Sequence, residues 1–222
     1  MEFESIAWDD RGLVATVAQD AETGQVRMLA YANREALERT LATREAHFFS
    51  RSRQSLWKKG ESSGNTMAVR EVWLDCDGDT VLYLVDPAGP SCHTGAEACF
   101  FRRLEDDGTV TETPAAPASP TLLRLERTLR ERRQSSAGKS YTKALLAAGP
   151  PKIGAKIREE AAELAQAIEA ESDDRVSSEA GDVLYHLLVG LVARDLPMRT
   201  LLSTLSKRFG QSGHAEKASR PT

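Results

Sequence analysis

The chain has 222 residues, 41% of them hydrophobic and 28% charged, a mixture that suits a packed core and excludes wholesale disorder. Its 29 Lys and Arg against 33 Asp and Glu leave a net charge of −4, which excludes the strongly basic face of a dedicated nucleic-acid binder. The first ten residues show neither the basic start nor the apolar stretch of a signal peptide, and the longest mostly apolar segment, 183–193, is too short to span a bilayer, so a cytoplasmic protein without membrane contact is expected.

Residues 13–17 and 26–30 read as strands separated by the turn-like Glu22-Thr23-Gly24, and residues 33–43 carry a short helical pattern with Leu37 and Leu41 four apart. Residues 69–74 and 80–85, rich in β-branched and aromatic side chains, flank Asp77-Gly78, a hairpin turn signal. Ten of the thirteen aromatic residues, and every Cys and Trp, precede residue 105. Residues 105–120 then combine Pro114, Pro117 and Pro120 with small and polar residues, a composition that predicts an extended, semi-stiff linker.

Beyond it the chain reads as helices only. Ile153, Ile157, Ala161, Leu164 and Ile168 follow the 3.6-residue period, as do Val176, Ala180, Val183, Leu187 and Leu191. Pro150-Pro151 and Pro197 stand at helix starts, and shorter helices are expected over 122–133, 141–148 and 198–207. The predicted class is α+β: a β-rich, metal-binding domain over 1–104, the linker 105–120, and an all-α helical bundle over 121–222.

The first half carries the ingredients of two metal sites. In Asp75-Cys76-Asp77-Gly78-Asp79, an extended chain would set the three aspartates on one face and Cys76 on the other. Carboxylates suit Mg²⁺ and a thiolate suits Zn²⁺; a polar hairpin with solvated aspartates is the equal alternative. An EF-hand is excluded, because its sixth loop position is Thr80 rather than Gly. Cys92, His93 and Cys99 follow. Free cysteines are often plain buried hydrophobes, but three thiols within 24 residues and no fourth fit a zinc ion with one coordination position left open. Such an ion brings the pKa of its water to about 7, and His93, beside Cys92, suits the base that takes the proton.

Residues 48–66 include Arg51, Arg53, Lys58 and Lys59 with no acid between them, among serines and glycines. Guanidinium forks, hydroxyls and close backbone approach suit a phosphate; a solvated charged loop is the plain alternative. The segments Ser50-Arg51-Ser52-Arg53, Leu56-Trp57-Lys58-Lys59-Gly60-Glu61-Ser62-Ser63-Gly64-Asn65, Asp75 to Asp79, and Cys92-His93-Thr94-Gly95 with Cys99 together resemble phosphoribosyl-AMP cyclohydrolase of histidine biosynthesis, over residues 8–104. The resemblance implies that Cys76, Cys92 and Cys99 ligate zinc across a homodimer interface, that Asp75, Asp77 and Asp79 hold Mg²⁺, and that His93 assists catalysis. It further implies substrate contacts from Arg51, Arg53, Trp57, Lys59, Glu61, Ser63, Gly64 and Asn65. Met67 departs from the family, which often carries Gln there.

In the second half, Glu159-Glu160-Ala-Ala-Glu163 and Glu179-Ala-Gly-Asp182 each project carboxylates from one helix face, and antiparallel packing would make them converge on a divalent cation. A single such element is usually acidic surface; two on neighbouring helices are not so readily explained. The pattern resembles the all-α nucleotide pyrophosphohydrolases. With Ser140-Tyr141-Thr142, Lys152 to Lys156 and the terminal Arg208-Phe-Gly-Gln-Ser212-Gly213, it is similar specifically to phosphoribosyl-ATP pyrophosphohydrolase over residues 121–220. That likeness implies Mg²⁺ held by Glu159, Glu160, Glu163, Glu179 and Asp182 around a triphosphate, with Glu163 catalytic. Lys152 and Lys156 read equally as phosphate ligands or solvated lysines, and His186 as a packing histidine. Ala137-Gly138-Lys139-Ser140 only mimics a P-loop, since the required earlier Gly is Arg133.

The two resemblances together imply a bifunctional hydrolase of histidine biosynthesis acting on small nucleotides. A zinc deaminase is disfavoured because Cys92 and Cys99 lie seven apart rather than in a CxxC. A structural zinc module fused to an interaction domain is the non-enzymatic alternative.

Overall fold

The computed structural model describes residues 3–135 and 140–209. The chain divides into two compact units, Met1–Pro120 and Thr121–Thr222. Residues 137–139 of the P-loop mimic and residues 210–213 of the terminal motif lie outside the described residues.

The first unit is built on a six-stranded sheet of order β4-β3-β2-β1-β6-β5. β1 (Val14–Asp20) and β2 (Val26–Ala32) form an antiparallel pair with Val17 opposite Leu29. β1 also runs parallel to β6 (Thr80–Pro87), with Val17 opposite Leu82. β1 alternates strictly between buried and half-buried positions, the period of a strand with one face on the core. After β2, Asn33 caps α1 (Arg34–Thr43): its side-chain oxygen accepts the Ala36 N–H at 2.9 Å. The helix turns Ala36, Leu37 and Thr40 inward. Phe48 and Tyr83, both fully buried, centre the core with ring centroids 5.6 Å apart.

Residues 47–58 form a hairpin within the cation-rich segment, β3 (His47–Ser50) against β4 (Ser55–Lys58), with Phe48 opposite Trp57. Its turn holds Arg51 and Arg53, and Gln54 adopts φ +50°. β5 (Met67–Leu74) pairs with β6 across the aspartate-rich turn.

The proline-rich segment expected as an extended linker instead folds onto the first unit. β7 (Arg102–Leu104) and β8 (Val110–Glu112) pair around Gly108, at φ +81°, where Asp107 Oδ1 accepts both the Thr109 N–H and its hydroxyl. The Ala118 N–H then bonds Phe100 O, and buried Gln25 donates to Ala118 O and Ser119 Oγ. The prolines stop further sheet pairing without preventing these side-chain and turn contacts.

The second unit consists of α2 (Thr121–Gln134), α3 (Tyr141–Ala148), α4 (Pro150–Ala170), α5 (Asp173–Ala193) and α6 (Met198–Ser206). Pro150 and Pro151 begin α4, where an absent N–H costs no intrahelical bond. Ser172 caps α5, and Asp173 and Asp174 favour its positive end. A Cβ on Gly190 would stand 3.6 Å from Ile153 Cγ2, so the start of α4 lies against the end of α5 and the two run antiparallel. Leu129, Leu188, Val189, Val192 and Met198 form the core.

The buried stripes differ from the expected apolar ones. On α4 they run through Ile153, Glu160 and Ala167, while Ile168 is exposed; on α5 they run through Glu179, His186, Leu188, Val189 and Val192. The inward faces pass through carboxylates that the hydrophobic period skips. Among the described residues, α5 alone is long and apolar enough to cross a membrane. Its buried Glu179 and its packing in this core mark it as the central helix of the unit.

Candidate active sites

In the first unit, a cleft of about 530 Å³ opens beside β4. Its walls include Arg53, Trp57, Lys59, Glu61, Ser63 and Asn65 on one side and Cys92, His93 and Cys99 on the other. These nine are sequence-expected site residues. Arg51 and Gly64 do not line it: Arg51 lies over the Tyr31 ring, 3.8 Å from its centroid. The turn that carries Glu61 to Asn65 is closed by a bond from the Gly64 N–H to Gly60 O, and it needs Gly60 because a Cβ there would stand 2.4 Å from Asn65 C.

Cys92 and Cys99 both line this cleft. Burial disfavours the Cys92 thiolate, but the Thr94 hydroxyl, which donates to its sulfur at 3.2 Å, and neighbouring groups outweigh it and hold the thiol below its ordinary value. Cys99 is pushed up to about 11 by burial and by the charge on Cys92, against Lys59 and Arg27. His93 Nδ1 lies 3.9 Å from Cys92 Sγ. Buried Lys59 donates to Asn65 O at 3.1 Å, and its ammonium pKa is lowered, chiefly by burial.

Cys76 is exposed, at the β5–β6 turn, and does not line the cleft. Among the described residues, no group of three metal-ligating side chains contains a cysteine. Within one chain Cys76 thus stands apart from Cys92 and Cys99. The aspartates of the same turn do converge: ligand oxygens of Asp75, Asp77 and Asp79 all lie within 4.8 Å of one another. Strand alternation is not the cause, because β5 ends at Leu74 and Gly78 takes φ +80°. The turn wraps the three carboxylates together, while the Gly78 carbonyl accepts the Ala7 N–H.

The second unit gathers Glu160 from α4 and Glu179 and Asp182 from α5 within the same 4.8 Å limit. Glu179 is buried; Arg175 Nη2 donates to its Oε1 at 2.6 Å, and its Oε2 has no hydrogen-bond partner among the described residues. Burial raises its pKa, as do Glu163 and Asp182, against Arg175. Glu163 stands close enough to raise the Glu179 pKa but lies outside the triad. Glu159 is drawn aside: Lys156 Nζ donates to it at 2.9 Å and to Glu160 at 2.8 Å. Lys152 is exposed. His186 lies nearer the cluster than a mere packing residue. Its Nδ1 lies 2.9 Å from Asp182 O and 3.7 Å from Glu160 Oε1, and its Nε2 lies 2.9 Å from the Tyr141 hydroxyl. Arg27 supports the cleft without any sequence pattern marking it, whereas Thr94 and Tyr141 fall within quoted motifs that gave them no role of their own.

The phosphoribosyl-AMP cyclohydrolase family matches residues 28–101, and the phosphoribosyl-ATP pyrophosphohydrolase family matches residues 122–209. The histidine biosynthesis bifunctional protein HisIE of Wolinella succinogenes is 44% identical over 98% of this chain and 97% of its own length. The chain belongs to the bifunctional HisIE family. The Thermus thermophilus protein is 45% identical over 94% of both chains. The chloroplastic protein of Arabidopsis thaliana is 43% identical over 98% of this chain and 80% of its own. The cleft thus lies in a cyclohydrolase domain and the acidic cluster in a pyrophosphohydrolase domain of one bifunctional hydrolase of histidine biosynthesis.

Proposed function

We propose that the helical unit hydrolyses phosphoribosyl-ATP to phosphoribosyl-AMP and pyrophosphate at the Glu160, Glu179 and Asp182 cluster, and that the cleft of the first unit then opens the adenine ring. The unpartnered Glu179 Oε2 inside a three-carboxylate group carries the reading for the helical unit, since hard oxygens in excess of their donors fit a divalent cation such as Mg²⁺. Such an ion neutralises the departing pyrophosphate. Glu163, beside Glu179, orients the attacking water, and Lys156, with Lys152 exposed on the same helix, faces the phosphates.

In the cleft, the Cys92 and Cys99 thiols beside His93 suit a soft cation, and zinc is the ion proposed, with Cys76 of a second copy as its third ligand. Bound there, zinc supplies a water acidic enough to ionise near neutral pH. His93, whose Nδ1 is turned to the Cys92 sulfur, would take that water's proton at Nε2. Hydroxide oxygen adds to C6 of the cationic adenine; as the N1–C6 bond breaks, its electron pair returns to N1, the C6 carbonyl forms and the hydroxyl proton passes to N1. Arg53, Trp57, Lys59, Glu61, Ser63 and Asn65 hold the nucleotide, while Arg51 and Gly64 shape the edge. Asp75, Asp77 and Asp79 form a second Mg²⁺ site. The homodimer and a cytoplasmic setting without membrane contact belong to the same proposal.

Purified protein given phosphoribosyl-ATP and Mg²⁺ tests this when pyrophosphate and opened product are followed separately. His93→Ala should abolish ring opening and spare pyrophosphate release; Glu163→Ala should stop pyrophosphate release while added phosphoribosyl-AMP is still opened. Loss of both activities in either folded variant would refute the division into two sites.

A further inference from the structure

We propose that Arg27 is the positioning residue for the thiol pair, locking the segment that carries Cys92 and Cys99 onto the sheet in the arrangement ring opening requires. The inference rests on the reading of those thiols as metal ligands. Arg27 sits on β2 and is only 5% exposed. Nε donates to Ser91 Oγ at 2.9 Å and Nη2 to Gly89 O at 3.0 Å. Nη1 donates to Glu97 Oε1 at 3.0 Å and to Gln25 Oε1 at 3.3 Å. Its carbonyl accepts the Cys99 N–H at 2.8 Å. One residue thereby fixes Gly89 and Ser91 just before Cys92, Glu97 between the thiols, and Cys99 itself.

Stability alone does not account for this arrangement. A buried charge is costly, and an apolar side chain of similar volume often packs as well or better. Here the one carboxylate paired to Arg27, Glu97, is half exposed, so the guanidinium gains more from geometry than from charge neutralisation. What the planar fork adds is direction: three of its nitrogens reach separate acceptors, two of them within three residues of Cys92. The segment closes on itself through Cys92 N–H to Ala96 O and Ser91 N–H to Glu97 O, and Arg27 joins that closed loop to the sheet. Residues that orient metal ligands in this way commonly govern metal affinity.

The test uses the full chain stripped of metal, as the parent and as Arg27→Met, Arg27→Lys and Ser91→Ala. Zinc uptake is titrated against a chromogenic chelator. Ring opening of phosphoribosyl-AMP is measured across the same zinc range, and pyrophosphate release from phosphoribosyl-ATP serves as an internal control. Arg27→Met should weaken zinc binding by about 10–100-fold, with ring opening recovering as zinc saturates and pyrophosphate release unchanged. Arg27→Lys should not restore parental affinity, because an ammonium lacks the fork. Ser91→Ala should shift affinity the same way by less. Parental zinc affinity in Arg27→Met, or ring opening lost equally at every zinc concentration, overturns the proposal. Should Arg27→Met unfold the first unit, parental affinity in both Arg27→Lys and Ser91→Ala overturns it instead. A parent that takes up no zinc removes the underlying reading and this inference with it.

Discussion

Gly60→Ala offers a test of how far the cleft depends on one turn. Gly60 has φ +82°, and an added Cβ would stand 2.4 Å from both Asn65 C and Thr66 N and 2.6 Å from Asn65 O. The left-handed conformation alone costs an alanine roughly 1–2 kcal/mol. Overlap with main-chain atoms, which cannot rotate away as a flexible side chain would, adds about 1–3 kcal/mol. A penalty of about 2–5 kcal/mol disfavours the native turn by a factor of about 30 to several thousand, at 1.4 kcal/mol per tenfold. The turn should therefore open, releasing the Lys59 Nζ bond to Asn65 O and displacing Glu61 and Ser63 from the cleft wall. Ring-opening kcat/KM should fall at least about 30-fold, while pyrophosphate release is unchanged. Gly12→Ala is the control: φ is +70° but nothing lies within 4 Å of its Cβ, so only the conformational cost applies and ring opening should persist. Both products are assayed on the same samples, with thermal unfolding alongside. Parental ring opening in Gly60→Ala, or an equal loss in Gly12→Ala, would refute the argument from main-chain overlap.

Alkylation of the metal-free protein near neutral pH should modify Cys92 before Cys99, because Thr94 favours the Cys92 thiolate while desolvation and the Cys92 charge push Cys99 up to about 11. Peptide mass spectrometry reads the order, and earlier labelling of Cys99 would contradict it. Glu179 faces Arg175, Glu163 and Asp182, and its carboxyl pKa is raised, chiefly by burial, so the folded state binds its proton more tightly than the unfolded chain does. That contribution is full below the unfolded value of about 4.3 and is lost as pH rises through the higher folded value. Glu179→Gln should therefore gain thermal stability relative to the metal-free parent as pH rises towards 7, and Mg²⁺ should stabilise the parent more than the variant. A parent-to-variant difference that does not change with pH would count against it.

Much of the fold follows from local rules. Asn33 in front of an amphipathic stretch places α1, and Pro150-Pro151 places the start of α4, because capping and a missing N–H act within one turn of chain. β3 and β4 are harder to read. Each has four residues, and Arg51 and Arg53 between them look like solvated loop until Phe48 is seen opposite Trp57. The proline-rich segment misleads for the opposite reason: its composition describes what it cannot pair with, whereas the Gln25 bonds to Ala118 and Ser119 span more than 90 residues of sequence. On α4 the hydrophobic period selects Ala161 and Ile168, yet the inward stripe runs through Glu160, because the helix face is fixed by the acid cluster as well as by apolar packing.

The two sites differ in how much of each a single chain can assemble, and the difference follows from topology. Glu160 faces Glu179 and Asp182 because α4 and α5 are joined by only Glu171 and Ser172 and must run back along each other. A helical hairpin brings i, i+3 carboxylates together with no further long-range contact. The thiols have no such connection. Cys92 and Cys99 share one loop closed on itself and tied to β2, so they meet. Cys76 belongs to the β5–β6 turn, and β5 forms the far edge of the sheet from β4, which borders the cleft. Sequence spacing groups all three sulfurs within 24 residues, but sheet order separates the first from the other two. Within one chain Cys76 therefore does not join that pair, and a site with only two thiols would have to fill its remaining positions with His93, solvent or substrate.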